Sequence, residues 1–393
     1  MDQYDVAVIG LGVIGSAAAY YSALKCKKVI AFEQFELGHV HGASHDTSRI
    51  VRTSNPIPEY VRLAKSAYKD WAELERAAGQ KLLTITGGVV FVPKDEDSKF
   101  RDLAQTLDAE NVPFELLNAD EANKRWPQFA IPNNVDTVYT PDTGIAHASK
   151  TVATMQFLAR SKGAVIHENT RVDSVTPKSS GQGVAIETTS TGFGSDSSKK
   201  TFHASKVILT TDAWTNKLLE PLGVHIPLSI MQEQVTYFKP TDNKKDLYNP
   251  DKFPVWIWAG DKSFYGFPTY GEPTIKAGRD TSNNFMTPEQ RTYVQSPELL
   301  EQLSSFMART FPDKGRQTLR TVTCQYTITP DRQFIISPLK DHPDVILGLG
   351  AAHAFKFAPA FGRVLAELAI DGKTGEDISK FGIPRVATSG SKL

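Results

Sequence analysis

The stretch "DVAVIGLGVIGSAAAYYSALKCKKVIAFEQ", residues 5–34, decides the fold of this chain. Four apolar residues from Val6 to Ile9 predict a buried strand, and the sequence Gly-Leu-Gly-Val-Ile-Gly follows at once at 10–15. Small and apolar residues up to Lys25 then predict a helix, and a second apolar run ends at Glu33. This order predicts a βαβ unit, so we expect the chain to open with a Rossmann-like domain of the α/β class.

Three glycines and one acid of this unit indicate a site for a dinucleotide. Gly10 permits a tight turn, Gly12 lets the backbone approach a pyrophosphate at the helix N terminus, and Gly15 lets the helix pack closely on the strand. Glu33 can accept both hydroxyls of an adenosine ribose, and its charge disfavours the extra phosphate of NADP. These residues leave FAD and NAD as the two candidate cofactors.

The composition narrows the partners to small molecules. The chain has 44 lysines and arginines against 44 aspartates and glutamates, so it has no net charge with which to attract nucleic acid or an anionic membrane. The sequence has no run of about 18 apolar residues, which argues against a membrane span. Cys26 and Cys324 are its two cysteines, so we expect neither a disulfide framework nor a bound metal.

The tripeptide Ser-Lys-Leu at 391–393 matches the address that a peroxisomal import receptor reads. It follows a short polar stretch, which is typical of an accessible tail. The sequence therefore predicts a peroxisomal location, with the import receptor as a protein partner.

A second strand-to-helix pattern near the end of the chain indicates discontinuous domains. The run "DVILGLGAAHAFKFAPAFGRVLAELAIDGK", residues 344–373, passes from an apolar strand through glycines into an amphipathic helix, so the chain is expected to return to its first domain. The predicted nucleotide-binding domain comprises residues 1–80, 145–220 and 320–385. A mostly antiparallel β-sheet substrate domain with helices comprises 81–144 and 221–319, and a flexible tail comprises 386–393. Further helices are predicted at 56–80, 95–110, 148–162 and 297–310, with a capping box at Asn118.

Four blocks carry a family resemblance: "HDTSRIVR" at 45–52, "FYGFPTYGEPTIKAG" at 264–278, "TCQYTITPDRQFII" at 323–336 and "HAFKFAPAFG" at 353–362. With the N-terminal βαβ unit, they make the chain similar over essentially its whole length to the monomeric sarcosine oxidase family of FAD-dependent amine oxidases. That family also includes pipecolate, N-methyltryptophan and fructosyl amino acid oxidases. The resemblance implies a monomeric oxidase that passes electrons from an amine to oxygen.

The resemblance also implies FAD rather than NAD, bound covalently through Cys324. Cys26, on the first helix beside lysines, is interpreted as structural. The cofactor-binding positions we expect are Gly10, Gly12, Ile14, Gly15, Glu33, Ser44, Arg49, Val172, Cys324 and Lys356.

Cations are expected around the flavin, because the reduced ring carries negative charge. Arg49 and Arg52 are three residues apart, so on a helical turn they would share a face and serve the flavin and a substrate carboxylate. The resemblance assigns the carboxylate to Arg52 and Lys356, and places Lys276 beside flavin N5, where its charge would stabilise superoxide. The predicted catalytic residues are Lys276, Arg49, His45, Tyr265 and Tyr326, and the predicted substrate-binding residues are Arg52, Lys356 and His353.

Departures from the family pattern leave the substrate open. Asp280, preceded by Arg279, stands where sarcosine enzymes carry a histidine, and Asp212 replaces a small residue. The leading hypothesis is oxidation of a secondary-amine amino acid, N-methyl or cyclic, such as sarcosine or L-pipecolate, to an imine with formation of hydrogen peroxide. The alternatives are a fructosyl amino acid or saccharopine oxidase, a nicotinamide-dependent dehydrogenase, or a flavin-binding protein without turnover.

Overall fold

The structure is a computed structural model that describes residues 3–26, 28–178, 183–190, 198–312 and 317–384. The predicted tail and its Ser-Lys-Leu tripeptide lie outside these residues. The α-helices are α1 (Val13–Lys25), α2 (Pro58–Ala78), α3 (Asp97–Ala109), α4 (Ala119–Arg125), α5 (Ala148–Ser161), α6 (Thr215–Leu219), α7 (Pro297–Thr310) and α8 (Ala358–Asp371). The strands are β1 (Gln3–Ile9), β2 (Val29–Phe32), β3 (Arg49–Val51), β4 (Leu83–Ile85), β5 (Gly88–Pro93), β6 (Glu115–Leu117), β7 (Val135–Thr140), β8 (Gly144–Ala146), β9 (Val165–His167), β10 (Thr170–Pro177), β11 (Val184–Ser190), β12 (Lys199–Leu209), β13 (Ser229–Lys239), β14 (Val255–Ala259), β15 (Ser263–Phe267), β16 (Ile275–Asp280), β17 (Gln317–Ile328), β18 (Ile335–Pro338) and β19 (Val345–Leu349).

The first sheet contains the predicted βαβ unit. Its strand order is β10-β11-β12-β1-β2-β9, with β19 beside β12 and β18 beside β19. Strand β1 pairs in parallel with β2 and β12, and β19 also pairs in parallel with β12. Parallel strands need helical crossovers that cover their faces, and α1, α2, α5 and α8 pack together with the sheet in one apolar core. The predicted α/β class is confirmed.

Two glycines allow the close contacts on which this layer depends. A Cβ added to Gly15 would lie 1.8 Å from the carbonyl oxygen of Gly10, so only glycine lets α1 start against the loop. A Cβ added to Gly362 would lie 2.3 Å from the Cβ of Ala17, so α8 crosses α1 at backbone distance. The end of the chain therefore packs directly on its beginning.

The second sheet has the order β17-β13-β16-β15-β14-β5-β7-β6 and is antiparallel except where β14 meets β5. Aromatic side chains fill the core between this sheet and α7, for example Phe264 and Phe306, whose rings stack with centroids 4.1 Å apart. Lys276 is in β16, which has β13 and β15 on its two sides, so it is on an interior strand. A small third sheet has the strand order β3-β8-β4.

One predicted domain boundary is wrong. The nucleotide-binding segment was expected to resume at residue 320, but β17 pairs with β13 along nearly its whole length in the second sheet. The chain re-enters the first sheet only at β18, because the long ladder with β13 holds residues 317–328 in the other layer. The remaining boundaries stay predictions.

Local sequence patterns predicted the helices well. Observed helices occupy 58–78, 97–109, 148–161 and 297–310 at the four predicted positions. The capping box is present, since the Asn118 side chain accepts from the Glu121 amide and the Glu121 side chain accepts from the Asn118 amide. Within the described residues, no helix combines the length and apolarity that a membrane span requires.

Candidate active site

A cavity of about 700 Å³ lies where the first sheet, the second sheet and the segment 33–52 meet. This volume is in the range of small-molecule and cofactor sites. Gly15 is the one predicted site residue that does not line it, because that glycine packs beneath the loop. The predicted residues that line the cavity are Gly10, Gly12, Ile14, Glu33, Ser44, His45, Arg49, Arg52, Val172, Tyr265, Lys276, Cys324, Tyr326, His353 and Lys356.

The glycine loop and the start of α1 suit a pyrophosphate. Gly10 has a φ of 87°, and a Cβ there would lie 2.7 Å from the carbonyl oxygen of Thr210. The N-cap of helix α1 is Gly12, which offers no side chain, and the first turn has no acidic residue, although the Ser44 hydroxyl accepts from the Val13 amide at 2.9 Å. The partial positive charge of the helix end is therefore not neutralised by an acid and can attract an anion.

Glu33 lies at the end of β2 and is 5% exposed. Its carboxylate accepts hydrogen bonds from the backbone amides of Leu11 at 2.8 Å and Phe35 at 3.1 Å. Burial raises the pKa of Glu33, but His39 and these amides outweigh it, so the pKa is lowered. A charged acid beside the glycine loop fits a ribose and does not fit a 2′-phosphate.

Lys276 is 2% exposed, and its amine is held by two oxygens. Nζ lies 2.7 Å from Oδ2 of Asp46 and donates to the carbonyl oxygen of Ser48 at 3.0 Å. The hydroxyl of Tyr237 donates to the other oxygen of Asp46 at 2.6 Å. Burial and the nearby Arg49 lower the pKa of Lys276 to about 8, although Asp46 raises it.

The expectation that Arg49 and Arg52 share a helical turn is wrong. Arg49 begins β3, where backbone pairing with β8 holds the chain extended. Both arginines nevertheless line the cavity. The Arg49 guanidinium donates to the carbonyl oxygens of Ser48 and Ala43 at 2.9 Å each and lies 5.9 Å from the ring centre of Phe355.

Cys324 and His45 are two buried groups that line the cavity. Burial raises the pKa of the Cys324 thiol, while Arg49 and Lys276 oppose this rise. Burial and Arg49 lower the pKa of His45 to about 4, and its Nε2 has no partner among the described residues. A neutral imidazole and an uncharged thiol therefore face a cavity rich in cations.

Arg52, Lys356 and His353 meet around Asp280 at one end of the cavity. Nε2 of His353 lies 3.1 Å from Oδ1 of Asp280. Burial raises the pKa of Asp280, but His353 and Lys356 contribute to lowering it to about 2. Burial and the charge of Arg52 lower the pKa of Lys356 to about 7, and burial lowers the pKa of Arg52 to about 10.

Two tyrosines line the cavity beside this cluster. Tyr265 is opposite Gly278 in the second sheet, where a Cβ would lie 2.9 Å from its ring. Tyr326 meets His353 edge to face, with ring centroids 5.7 Å apart. Burial raises the pKa of both phenols, so both hydroxyls are neutral.

Sequence reasoning missed three acids, of which Asp46 and Asp212 line the cavity and Glu233 lies on the strand paired with that of Cys324. Asp46 lies within the segment 45–52 but is not among the predicted site residues, and its φ of 83° is unusual for a residue other than glycine. Glu233 lies opposite Cys324 in the ladder of β13 and β17. Asp212 is a departure from the family pattern; its Oδ2 has no hydrogen-bond partner among the described residues, and burial raises its pKa to about 6. Within the described residues, no group of three histidines, cysteines or acids could hold a metal.

The glycine loop, Glu33 at the position expected to bind a ribose, and the buried cations together define a dinucleotide-dependent oxidoreductase. The chain belongs to the FAD dependent oxidoreductase family, whose sequence model matches residues 5–368. Among curated relatives, a monomeric sarcosine oxidase of Bacillus sp. (strain B-0618) is 32% identical over 98% of this chain and 97% of its own. The human peroxisomal sarcosine oxidase is 29% identical over 99% and 98%.

Solved structures of other proteins have a similar fold. NikD, an unusual amino acid oxidase essential for nikkomycin biosynthesis, has a TM-score of 0.80 and 25% identity over 98% of both chains. An L-proline dehydrogenase from P. horikoshii has a TM-score of 0.83 and 22% identity over 98% of both chains, which supports the fold alone. The predicted family, the α/β fold class and the flavin-dependent enzyme class are confirmed.

Proposed function

We propose that this protein is an FAD-dependent oxidase of a secondary-amine amino acid, N-methyl or cyclic, such as sarcosine or L-pipecolate. The names of the sarcosine oxidase relatives support the substrate class. The observation that carries the proposal is the cluster of Arg52, Lys356 and Asp280 in the cavity that also contains Lys276 and Cys324. FAD supplies the two-electron oxidation of the C–N bond and passes the electrons to oxygen, with hydrogen peroxide as product.

The residues of the first layer would hold FAD. The α1 N terminus, with Gly10, Gly12 and Ile14, would bind the pyrophosphate, and Glu33 would bind the adenosine ribose. Ser44 and Val172 line the same cavity. We assign covalent attachment to Cys324, since its buried thiol faces the cavity close to two cations.

Arg52 and Lys356 would bind the substrate carboxylate. An arginine offers two parallel donors to one carboxylate, whereas a lysine offers a point charge, so the pair fixes both position and orientation. His353 and Asp280 would border the amine.

Lys276 and Arg49 would serve the flavin ring. Two cations in a buried cavity lower the free energy of a negatively charged ring. Asp46 keeps Lys276 charged by raising its pKa against burial. His45, being neutral, adds no charge to this end.

One observation favours a second candidate, a fructosyl amino acid or saccharopine oxidase. Asp280 places a carboxylate with a pKa of about 2 in the substrate end, next to the groups assigned to the carboxylate. Such an acid can receive a second ammonium group, beyond the reacting amine, that sarcosine lacks. The family match favours FAD over a nicotinamide cofactor.

A panel of amines scored by peroxide release tests the proposal. Sarcosine and L-pipecolate are expected to exceed fructosyl-lysine and saccharopine, and the reverse order selects the second candidate. An acid-precipitated wild-type pellet should stay yellow, and that of Cys324→Ala should be colourless. Flavin that no amine bleaches without air would make the protein a flavin-binding module instead.

A peroxisomal location is part of the same proposal. It is supported by the human and mouse relatives named peroxisomal sarcosine oxidase and suits a peroxide-forming enzyme. A fluorescent protein fused before Met1 should enter peroxisomes and should lose that location when residues 391–393 are deleted. Unchanged location after the deletion would contradict a role for the tripeptide.

A further inference from the structure

The strand that carries Cys324 pairs with a strand that carries a buried acid. In the antiparallel ladder of β13 and β17, Glu233 is opposite Cys324 and Val235 is opposite Val322. Alternate residues of a strand face the same side of a sheet, and Val235, Val322 and Cys324 all line the cavity. Glu233 therefore shares that face of the sheet with Cys324, on the paired strand, although it does not itself line the cavity.

Glu233 lies on the strand paired with that of Cys324, and its carboxylate is held in place by Ser282. Side chains directly opposite in such a ladder have Cβ atoms about 4.5–5.5 Å apart. Glu233 is 3% exposed, and its oxygens accept from the Ser282 amide at 2.8 and 3.1 Å and from the Ser282 hydroxyl at 3.0 Å. In the part of the chain that the structure describes, no lysine, arginine or histidine forms an ion pair with it.

We propose that Glu233 takes the proton of the Cys324 thiol when the sulfur bonds to the flavin, a step that rests on the covalent attachment proposed above. A C–S bond forms between Sγ and a ring methyl carbon of FAD, while the S–H bond and one methyl C–H bond break. The thiol proton goes to Glu233 and the methyl proton to solvent. The two electrons reduce the flavin ring, and oxygen then takes them to give hydrogen peroxide.

The charges around the pair suit this transfer. Burial and Asp280 raise the pKa of Glu233 to about 7, against the hydrogen bonds from Ser282. A base with a pKa near the working pH accepts protons efficiently. Cations stabilise the thiolate that remains. Among the described residues, the ionisable groups facing the pair are Asp280 and Arg279 from β16, Arg49, Lys276, Arg291, Tyr265 and Tyr326.

Intact-mass measurement tests the proposal without relying on turnover. The full-length chain is produced without riboflavin and mixed with FAD, and denatured samples are weighed over time. Wild type should gain the mass of one FAD less two hydrogens, at a rate that rises with pH through about 7, because Glu233 must be deprotonated. Glu233→Gln should slow the gain by about 100-fold at pH 7. Its reversible FAD binding, followed by flavin fluorescence, should stay close to wild type.

A second variant keeps the carboxyl group of Glu233 but changes its pKa. Ser282→Ala removes one hydroxyl donor, which should raise the pKa of Glu233 and shift the rise in attachment rate to higher pH. Glu301→Gln, on the exposed face of α7, is the matched control and should attach like wild type.

The outcomes separate the two proposals. Attachment of Glu233→Gln at the wild-type rate, or an unshifted profile in Ser282→Ala, would overturn the role of Glu233 and leave Cys324 as the attachment site. A wild-type chain that gains no mass would overturn covalent attachment and this inference together.

Discussion

Lys276 and Asp46 form a buried ion pair in the cavity wall, with 2.7 Å between Nζ and Oδ2. The pair joins β16 of the second sheet to the segment that leads into β3. Asp46 adopts a left-handed φ of 83°, and Tyr237 binds its second oxygen. A strained residue that is held by its neighbours in this way is typical of a functional site. The carboxylate fixes both the position and the charge of the lysine.

We expect Lys276→Met to slow reoxidation of the reduced flavin by about 100-fold or more, because the developing negative charge loses one of the buried cations of the cavity. Reduction by substrate without air should change much less. Stopped-flow absorbance measures both half-reactions, with Lys262→Met, at an exposed position, as control. Equal slowing of both half-reactions would remove the special role of Lys276 in the oxygen step.

Asp46→Asn should move the pH dependence of reoxidation. The pKa of Lys276 is about 8 and is raised by Asp46, so the reactive ammonium form is lost as the pH rises through that value. Without Asp46 the pKa falls further, and the loss should occur at lower pH. Dithionite-reduced protein lets this be measured without an amine. Tyr237→Phe retains the carboxylate and should keep nearly the wild-type profile; a profile unchanged in Asp46→Asn would contradict the expectation.

Arg52→Ala and Lys356→Ala should each reduce the preference for an amino acid over its decarboxylated amine. Loss of a charge-assisted bond to a desolvated carboxylate costs about 2–4 kcal/mol, which is roughly 30- to 1,000-fold in affinity. Arg52→Lys should already be costly, because a lysine cannot hold both oxygens. Michaelis constants for the acid and the amine measure this. A wild type that oxidises both equally well would mean that the two cations do not bind a carboxylate.

Binding of a simple carboxylate should weaken as the pH rises through about 7. Lys356 has a pKa lowered to about 7 by burial and Arg52, so its charge is present below that pH and absent above it. Propionate has no amine to titrate, and its dissociation constant can be followed by the flavin spectrum. Lys356→Arg stays charged at high pH and should flatten the profile. An equally steep profile in that variant would assign the pH dependence to another group.

Gly362→Ala should destabilise the protein. The added Cβ would lie 2.3 Å from the Cβ of Ala17, and such overpacking costs about 1–3 kcal/mol. That exceeds the roughly 1 kcal/mol by which alanine favours a helix. Thermal unfolding in excess FAD measures the change. Gly375→Ala meets open space and is the control; equal midpoints for both variants would show that α8 can move away from α1.

The sequence predicted those parts of the structure that depend on neighbours along the chain. The βαβ unit and the helix at 148–161 follow from local spacing. The resemblance of the four blocks to a known family identified most of the predicted cavity residues. The pairing of Asp46 with Lys276 could not be predicted, because it joins positions far apart and needs an unusual φ. Glu233 could not be predicted for a related reason. Only the strand register places it opposite Cys324, and register is a tertiary property.

The packing of α8 on α1 has a consequence for biosynthesis. The cavity is walled by Gly10 near the start of the chain and by Lys356 near its end, and β19 must be added beside β12 before it closes. A nascent chain on the ribosome therefore cannot form the complete site until almost all of it has been translated. Binding of FAD to the complete site is therefore expected late in biosynthesis, after α8 has been synthesised and has packed on α1.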